Sequence, residues 1–482
     1  MKKILFIFLI LSHSLVKAQK NDNVWIIGYN YCGGCPKSAL DFTYGTPDTV
    51  GIYTGSDAYA TSSVISDSTG LFQFNTNGIY ITNRYGQVVP GSTDFNLDLG
   101  TIMYGWTYYM PYYQCAITVP FPDHPNQYYI FHLSGRNWGS FVQPCRMAYS
   151  TIDMNANGGS GQMLLKNQTA INDTLLYSTM QAVKHGNGRD WWIVAHEWNN
   201  SGMYAALLTP DSVTTIVRSI TGPEIKRGIS VGQSQFSPDG NKYAIASRDS
   251  ALLIIYNFDR CTGEFIYNTI IRHPFNTNYF NFSSCVFSPN SKYLYASDHL
   301  NVYQFNTDTT DIASSEKIVG TRVTGPAYFF KFSNAPDGKI YQCSWGSDDH
   351  LSVINDPDQP DTSCHFGERQ FKVMYMENNL PDFPNFKLGP LTGCDSLTNY
   401  VDQINLSNET VFVYPNPSSG IFKFTASGKI KKILIMSSDM KLIKTVTENN
   451  SVDLKNTSEG LYFYIVETED KLFKGKLIKL RD

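Results

Sequence analysis

Charged residues are scarce in this 482-residue chain. They make up 17% of it, against about 25% in a typical soluble protein. Basic residues do not outnumber acidic ones, and the formal net charge is −4, so no overall positive field attracts nucleic acid. Beyond its first residues the chain has no apolar run of the ~20 residues that cross a bilayer as a helix. We therefore predict no nucleic-acid partner and no transmembrane segment.

The common catalytic motifs are also absent. The sequence contains no G-x-S-x-G, H-E-x-x-H, Walker or EF-hand pattern, so nothing indicates the enzyme and calcium-binding classes that carry these patterns. We predict no catalytic residue, no cofactor and no metal site.

Aromatic residues and turn formers are abundant. With 31 tyrosines and 29 phenylalanines, aromatics reach 14%, and they are accompanied by 36 glycines and 22 prolines. Aromatic side chains suit pleated sheets, whereas glycine and proline mark turns. This composition predicts an all-β protein and argues against a coiled coil or an intrinsically disordered chain.

The N-terminus has the pattern of a secretory signal peptide. Lys2 and Lys3 precede an apolar run over residues 4–11, and Val16 and Ala18 place small side chains before a cleavage point after residue 18. Charge divides the remainder, because residues 19–410 hold 23 basic and 34 acidic residues whereas residues 411–482 hold 12 and 8. We predict a signal peptide over 1–18, a body over 19–395, a linker over 396–410 and a tail domain over 411–482.

One pattern recurs through the body. It is an apolar strand, a tight turn built from Pro, Asp, Asn or Gly, and a second apolar strand; the clearest copy reads QFSPDGNKYAIAS. Proline fixes φ, and Asp-Gly or Asn-Gly accepts the positive φ of a hairpin turn. The copies lie at residues 64–74, 119–130, 183–194, 235–247, 286–297 and 331–341.

The repeat predicts sheets arranged around an axis. A sheet of three or four such strands cannot bury both of its faces, but sheets stacked radially cover one another. The copies start roughly 45 to 65 residues apart, near the ~40–50 of propeller blades. We predict an all-β, seven-bladed β-propeller followed by a small Ig-like β-sandwich, with six or eight blades as alternatives. The seventh blade is expected to combine residues 369–375 with the early strand at 24–28.

The repeat resembles the blades of TolB-like and WD-repeat-like propellers. The body as a whole resembles a family of secreted Bacteroidetes propeller proteins, most clearly at residues 65–70, 76–78, 184–192 and 232–240. This resemblance implies a propeller fold and export from the cell, and it implies no particular chemistry.

The tail opens with VFVYPNPSSGIF, a strand, a rigid Pro-Asn-Pro turn and a second strand. Further short strands at residues 433–436, 442–447 and 461–466 predict a β-sandwich. The tail resembles the type A C-terminal sorting domain of the type IX (Por) secretion system. The resemblance implies that this machinery is a partner and that the protein is released or held at the cell surface. The residues that carry it are Tyr414, Pro415, Asn416, Pro417, Gly420, Gly460, Tyr462, Lys476 and Lys479.

Nine cysteines follow the signal peptide, all in the body. Export permits disulfides, and the odd number leaves at least one thiol outside any set of pairs. Cys32 and Cys35 have the C-x-x-C spacing of zinc and redox sites, but no second pair lies near them, so we interpret them as disulfide cysteines of a loop. We also consider a pair between Cys261 and Cys285.

An aromatic insertion between two repeat copies is the candidate ligand-binding site. Exposed Tyr and Trp give a large contact area at low entropic cost, which suits a sugar or a peptide. Packing between blades is the alternative. Its residues are Tyr104, Trp106, Tyr108, Tyr109, Tyr112 and Tyr113.

Two polar groups suggest other chemistry. Acid–base catalysis needs carboxylates that converge across the ring, and its candidates are His185, Asp190, His196 and Glu197. The repeat aligns His185 with Ser237 of the clearest turn, which favours a structural role. Asp348 and Asp349 beside His350 could bind calcium, although a solvated turn is the favoured interpretation.

Together these patterns predict a secreted or cell-surface propeller that binds an extracellular glycan or protein. One alternative is a secreted hydrolase or lyase built on a propeller scaffold, which requires one or more of the four polar candidates to meet other polar residues in a central pocket. The other is a structural component of the cell surface or gliding apparatus.

Overall fold

The computed structural model describes residues 19–28, 37–52, 55–93, 95–96, 112–137, 142–225, 232–273, 281–323, 325, 327–376, 378–394, 411–426, 429–437, 441–447, 449–468 and 472–481. The chain divides into two compact units, Met1–Asp395 and Ser396–Asp482. Regular structure in the described residues is β-strand apart from three short 3-10 helices, as the composition predicts. These helices are Ala156–Gly159, Ala313–Ser315 and Asp361–Cys364.

Seven antiparallel sheets follow one another along the described part of the first unit. The first contains β1 (Val24–Ile27), β2 (Ser38–Asp41) and β3 (Asp48–Ile52). The second contains β4 (Ser63–Ser66), β5 (Phe72–Thr76) and β6 (Ile81–Asn83). The third contains β7 (Ala116–Pro120), β8 (Gln127–Asn137), β9 (Val142–Asp153) and β10 (Gln162–Ile171).

The remaining four sheets have four strands each. The fourth contains β11 (Gln181–Lys184), β12 (Trp191–His196), β13 (Gly202–Leu208) and β14 (Val213–Ile220). The fifth contains β15 (Gly232–Phe236), β16 (Lys242–Ser247), β17 (Leu252–Phe258) and β18 (Phe265–Arg272). The sixth contains β19 (Ser284–Phe287), β20 (Tyr293–Ser297), β21 (Asn301–Asn306) and β22 (Lys317–Thr321). The seventh contains β23 (Tyr328–Asn334), β24 (Ile340–Trp345), β25 (Asp348–Ile354) and β26 (Phe366–Met376).

Each of the six repeat copies forms the first hairpin of a sheet, the second to the seventh. In the fifth sheet the hydroxyl of Ser237 accepts the Lys242 N–H at 2.9 Å and bonds to Asp239. Each turn contains a residue with positive φ, as predicted. These residues are Gly70, Asn126, Gly188, Gly240, Ser291 and Gly338.

The seven sheets pack in a closed cycle. Buried apolar clusters join each sheet to the next from the first to the seventh. A further cluster closes the circle, because Trp25 and Leu40 of the first sheet pack with Tyr341 and Leu351 of the seventh. Each sheet therefore covers a face of its neighbour, which is the packing that the repeat predicts for a propeller.

The expected blade made from both ends of the body is wrong. Strand β1 pairs with β2, and β26 pairs with β25 as the outer strand of the seventh sheet. Pairing with the preceding strand closes a short loop, whereas pairing with β1 would close a loop of most of the body at a greater entropic cost. The chain returns to the first sheet later, where Phe383 packs against Trp25 with ring centroids 6.1 Å apart.

The first strands of the second to seventh sheets surround the axis of the ring. For example, the Ser284 hydroxyl on β19 donates to the Phe330 carbonyl on β23 at 3.1 Å, and Ser63 on β4 bonds to Thr118 on β7 at 2.8 Å. We call the end of the ring that carries the six repeat turns the turn face. The opposite end, where these first strands begin, is the loop face.

Residues 378–394, here called the axial segment, run along the axis from one face to the other. At the loop face the Asn378 N–H donates to the Ser344 carbonyl at 3.0 Å. At the turn face the Leu391 N–H donates to the Gly186 carbonyl at 2.7 Å, and a disulfide joins Cys394 to Cys261.

The pair considered between Cys261 and Cys285 is therefore wrong. Cys285 is a buried free thiol whose Sγ contacts the Gln233 carbonyl. Cys32 and Cys35 lie outside the described residues.

The second unit is a β-sandwich, as predicted. One sheet contains β27 (Phe412–Tyr414), β28 (Ile421–Thr425) and β31 (Ser451–Asp453). The other contains β29 (Ile430–Ser437), β30 (Leu442–Thr447), β32 (Gly460–Thr468) and β33 (Leu472–Lys479). Phe422 and Phe424 of the three-stranded tail sheet share a buried core with Ile433, Ile435 and Val466 of the four-stranded tail sheet.

Candidate functional site

The loop face carries a cluster of aromatic and basic side chains near the axis. It forms where the second strands of the fifth, sixth and seventh sheets end, at Ser247, Ser297 and Trp345, beside the end of β22 and the start of β23. We call the following residues the aromatic–guanidinium cluster: Arg248, His299, Arg322, Tyr328 and Trp345.

Ring contacts hold the cluster together. The Arg248 guanidinium lies 4.9 Å from the Trp345 ring centroid, and the Arg322 guanidinium lies 5.0 Å from that of Tyr328. His299 stacks on Tyr328 at 5.2 Å and lies 5.9 Å from Trp345. Such cation–π pairs keep guanidinium groups and aromatic rings side by side at a surface.

The positive charge of the cluster comes from its arginines, of which Arg248 pairs with Asp249 at 3.5 Å, and not from its histidine. Burial, with a smaller contribution from Arg248, lowers the pKa of His299 to about 4 against the opposing effect of Asp298, so this imidazole is neutral at pH 7. Tyr328 is 39% exposed and Trp345 is partly exposed. The arrangement can therefore offer a ring and a guanidinium to a ligand that approaches the loop face.

The aromatic insertion meets this cluster at its C-terminal end. Tyr113 is buried, packs edge-on against Phe330 at 4.9 Å and lies 6.2 Å from Trp345. Tyr112 stacks on Tyr177 at 3.9 Å. Tyr113 therefore packs beside Trp345 of the cluster, whereas Tyr112 packs against the core of the second to fourth sheets. The other predicted residues of the insertion, Tyr104, Trp106, Tyr108 and Tyr109, lie outside the described residues.

The acid–base candidates at the turn face serve a hairpin. His185 Nδ1 accepts the Asn187 N–H at 3.0 Å, and the His185 N–H donates across the turn to the Asp190 carbonyl at 2.9 Å, as those of Ser237 and Ser288 do in their turns. Its Nε2 lies 3.1 Å from the Cys261 carbonyl. Asp190 is paired with Arg189 at 2.7 Å and accepts from the Asn187 amide at 2.8 Å.

The other two candidates lie at the opposite end of the same hairpin. His196 is fully buried, its Nδ1 lies 2.6 Å from the Glu197 carbonyl, and burial lowers its pKa to about 4. Glu197 pairs with Arg218, which holds the pKa of this carboxyl below its usual range, and it accepts from Asn200 at 2.7 Å. These four side chains therefore do not converge on one pocket.

The acidic pair at the start of β25 is partly neutralised by a neighbouring arginine. Ligand atoms of Asp348, Asp349 and His350 lie within 4.8 Å of one another. However, Arg369 pairs with both carboxylates, at 2.9 Å for Asp349, and a guanidinium at this position opposes the binding of a cation. Asp348 is buried and accepts the His350 N–H, so its carboxylate shapes the strand end.

The middle of the axis holds a buried ion pair. Lys331 on β23 donates to Asp382 at 2.9 Å and to Asn379 at 3.0 Å. Gln114 donates to the other carboxylate oxygen of Asp382 at 3.0 Å and to the Ser234 carbonyl at 3.0 Å. The polar groups at the centre of the ring thus bind the axial segment.

Three of the nine predicted sorting residues hold the tail sandwich together. Asn416 donates to the Lys476 carbonyl at 2.8 Å and accepts the Ile478 N–H at 2.9 Å, which ties the Pro-Asn-Pro turn to the last strand. The buried Lys479 donates to the Thr457 carbonyl at 2.8 Å. Tyr462 is buried and donates to the Ser458 carbonyl at 2.7 Å.

The other sorting residues lie at turns or on the surface. A Cβ on Gly420 would lie 2.9 Å from the Lys455 Cα, so only glycine fits there. Gly460 opens β32 with a φ of 140°. Tyr414 and the Lys476 side chain are exposed, whereas Pro415 and Pro417 follow cis peptide bonds.

The sequence analysis missed the aromatic–guanidinium cluster. Its signal is positional, because Arg248, Asp298 and Trp345 each follow a serine at or next to the end of a second strand, and His299 lies beside Asp298. Aligning the repeat copies beyond their turns would have placed these side chains at one end of the ring.

Comparisons with known proteins identify the tail. Residues 412–480 match the secretion system C-terminal sorting domain. A candidate 6-phosphogluconolactonase of Bacteroides uniformis is 13% identical, covering 74% of this chain and 98% of its own, with a TM-score of 0.45. The periplasmic gluconolactonase of Pseudomonas aeruginosa is 11% identical, covering 94% and 99%, with a TM-score of 0.37.

A third similar structure is PorZ, a surface component of the type IX secretion system of Porphyromonas gingivalis. It is 11% identical, covering 93% of this chain and 73% of its own, with a TM-score of 0.31. No curated protein matches the sequence. Within the described part of the chain, no helix is both long and apolar enough to cross a membrane. The chain is thus a propeller-like all-β protein with a C-terminal sorting domain, exported by the type IX secretion system to the cell surface or the medium.

Proposed function

We propose that this exported protein recognises an extracellular glycan through the loop face of its propeller. The observation that supports the proposal is the aromatic–guanidinium cluster at the end of a filled axis. Aromatic rings contact the C–H faces of sugars, and guanidinium groups donate to hydroxyl or carboxylate oxygens.

The size of the cluster favours a glycan over a protein ligand. Stable protein–protein interfaces bury ~1,200–2,000 Å² in total, whereas the cluster consists of a few partly exposed side chains around Tyr328 and Trp345. The aromatic insertion adds Tyr108 and Tyr109 to the proposal as a second contact.

A glycan array with the purified protein tests the proposal. Tyr328→Ala should weaken binding about tenfold, as expected when an aromatic contact worth about 1.4 kcal/mol is lost. Tyr267→Ala is the matched control, because Tyr267 is 38% exposed but lies on the outer strand β18. The double change Tyr108→Ala and Tyr109→Ala measures the contribution of the insertion.

Two results would count against the proposal. One is an array on which no glycan binds the wild-type protein above background. The other is equal binding by the wild type, Tyr328→Ala and the double variant. Capture of a protein ligand that is lost in Tyr328→Ala would instead favour protein recognition at the same face.

A further inference from the structure

A cavity of about 250 Å³ lies at the turn face, at the end of the ring opposite the aromatic–guanidinium cluster. The repeat turns of the fifth, sixth and seventh sheets form three of its sides through Pro238, Pro289 and Pro336. The axial segment forms another side, and Asp22, just before β1, completes the wall. The cavity is therefore made by repeat turns together with both ends of the body.

Two buried oxygen atoms in its lining have no donor. Oδ1 of Asp22 and Oδ1 of Asn334 have no hydrogen-bond partner within the described ranges. The nitrogen of the Asn334 amide group sets its orientation, because Nδ2 donates to the Phe287 carbonyl at 3.1 Å. Buried acceptors are seldom left without a donor, so a small side-chain movement that lets either oxygen reach a hydroxyl-bearing occupant of the cavity would be favourable.

The charges around the cavity disfavour an ion. Asp22 and Lys387 both line it and interact: Lys387 lowers the pKa of Asp22, although burial, the larger effect, raises it. One acidic and one basic side chain leave the cavity without net charge. An occupant that carries a charge would therefore face one like-charged neighbour.

The rest of the wall mixes polar side chains, such as Gln235, Ser333 and Asn385, with apolar ones, and the space is small. Phe236, Phe383 and Pro384 present ring faces and C–H groups. Pockets for drug-sized ligands measure ~300–1,000 Å³, so this cavity is suited to something smaller. We infer that the turn-face cavity binds an uncharged, hydroxyl-rich ligand the size of one sugar ring. Its hydroxyl groups donate to Asp22 and Asn334, and its C–H faces contact the proline and phenylalanine walls.

This site shares no residue with the proposed glycan surface and does not depend on it. A ligand of this kind can be either a free monosaccharide or the terminal unit of a longer glycan. Ligand-observed NMR on the purified protein, with glucose, galactose, mannose and N-acetylglucosamine as probes, detects the first. Competition by an oligosaccharide that ends in the bound sugar detects the second.

Variants of the lining residues test whether the sugar binds in the cavity. Asp22→Ala should weaken binding by about tenfold or more, because a hydrogen bond to a charged acceptor is lost. Ala335→Phe should weaken it comparably by filling the space that Ala335 lines. Asp211→Ala is the matched control, since Asp211 is an exposed aspartate outside the lining. Tyr328→Ala should leave this binding unchanged, which separates it from the loop-face proposal.

The inference is overturned if none of the four sugars binds the wild type at millimolar concentration. It is also overturned if both cavity variants bind as the wild type does. Circular dichroism checks that each variant is folded, and Asp22→Asn, which keeps the shape of the side chain, replaces Asp22→Ala if the latter unfolds. Glucuronate is the charged comparison and should bind at least tenfold more weakly than glucose.

Discussion

The ion pair between Lys331 and Asp382 provides a direct test of whether the axial segment locks the ring. The two side chains are 0% and 2% exposed, and their charged atoms lie 2.9 Å apart. Removing one member of a buried pair leaves the other charge without compensation and costs about 3–5 kcal/mol. Lys331→Met and Asp382→Asn should each lower the free energy of unfolding by this amount.

The double variant should be far less destabilised than the single variants together. With both charges gone, the main remaining cost is one poorly satisfied amide group at position 382, about 1–3 kcal/mol. Simple additivity would instead give about 6–10 kcal/mol. The difference is the coupling between β23 and the axial segment.

Urea unfolding followed by tryptophan fluorescence measures this quantity. All seven tryptophans precede residue 396, so the signal reports on the body and not on the tail. The control is the exposed pair Lys242–Asp308, 3.2 Å apart with Asp308 57% exposed, which should contribute only about 0–1 kcal/mol. Single variants that each cost less than about 1 kcal/mol, or a strictly additive double variant, would refute the reasoning.

Three further predictions concern other parts of the ring. Burial lowers the pKa of His196 to about 4 in the folded protein, against 6.5 in the unfolded chain. Between these values the unfolded chain binds the proton more readily, so the free energy of unfolding is highest above pH 6.5. It falls by up to about 3 kcal/mol towards pH 4, and His196→Gln should flatten that slope in unfolding measured from pH 4 to 7. Gly263→Ala should lower the free energy of unfolding by about 2–4 kcal/mol, since φ is +77° and the new Cβ would lie 2.8 Å from the Trp192 ring. Gly338→Ala should cost only about 1–2 kcal/mol, because φ is +82° but the space around the new Cβ is open. Equal losses of stability in thermal unfolding would contradict this. Cys394→Ser should lower the free energy of unfolding by about 2–4 kcal/mol, because the disulfide closes a loop of 133 residues; an unchanged urea midpoint would contradict it.

Local sequence signals predicted the hairpins because each turn is specified by its own residues. A residue such as Gly240 adopts positive φ readily, and Ser237 and Asp239 satisfy the turn through their own side chains. The alternation of apolar residues then fixes which strands pair. None of this needs information from distant parts of the chain, so six of the seven sheets could be located from the repeat alone.

The axial segment could not be predicted in this way. Its sequence NNLPDFPNFKLGP has no strand alternation, and its prolines remove backbone donors. Its position depends on tertiary contacts, such as those of Asp382 with Lys331, and on the disulfide between Cys261 and Cys394. The connectivity of disulfides cannot be deduced from cysteine spacing, which is why the pair with Cys285 was wrong.

The filled axis also determines where a ligand can bind. A catalytic site of the kind that needs carboxylates converging across the ring would have to use the space that the axial segment occupies. The carboxylate found there, Asp382, is already bound by Lys331 and Gln114. The two ligand sites that we propose therefore lie at the two ends of the ring. At the loop face, side chains such as Trp345 come from the ends of second strands, and at the turn face the repeat turns and Asp22 enclose a small cavity. The two sites share strand β23, which carries Tyr328 at one end and Asn334 at the other, but they share no residue. Substitutions at one face should therefore not change binding at the other, and any coupling between them would have to pass along β23 or the axial segment.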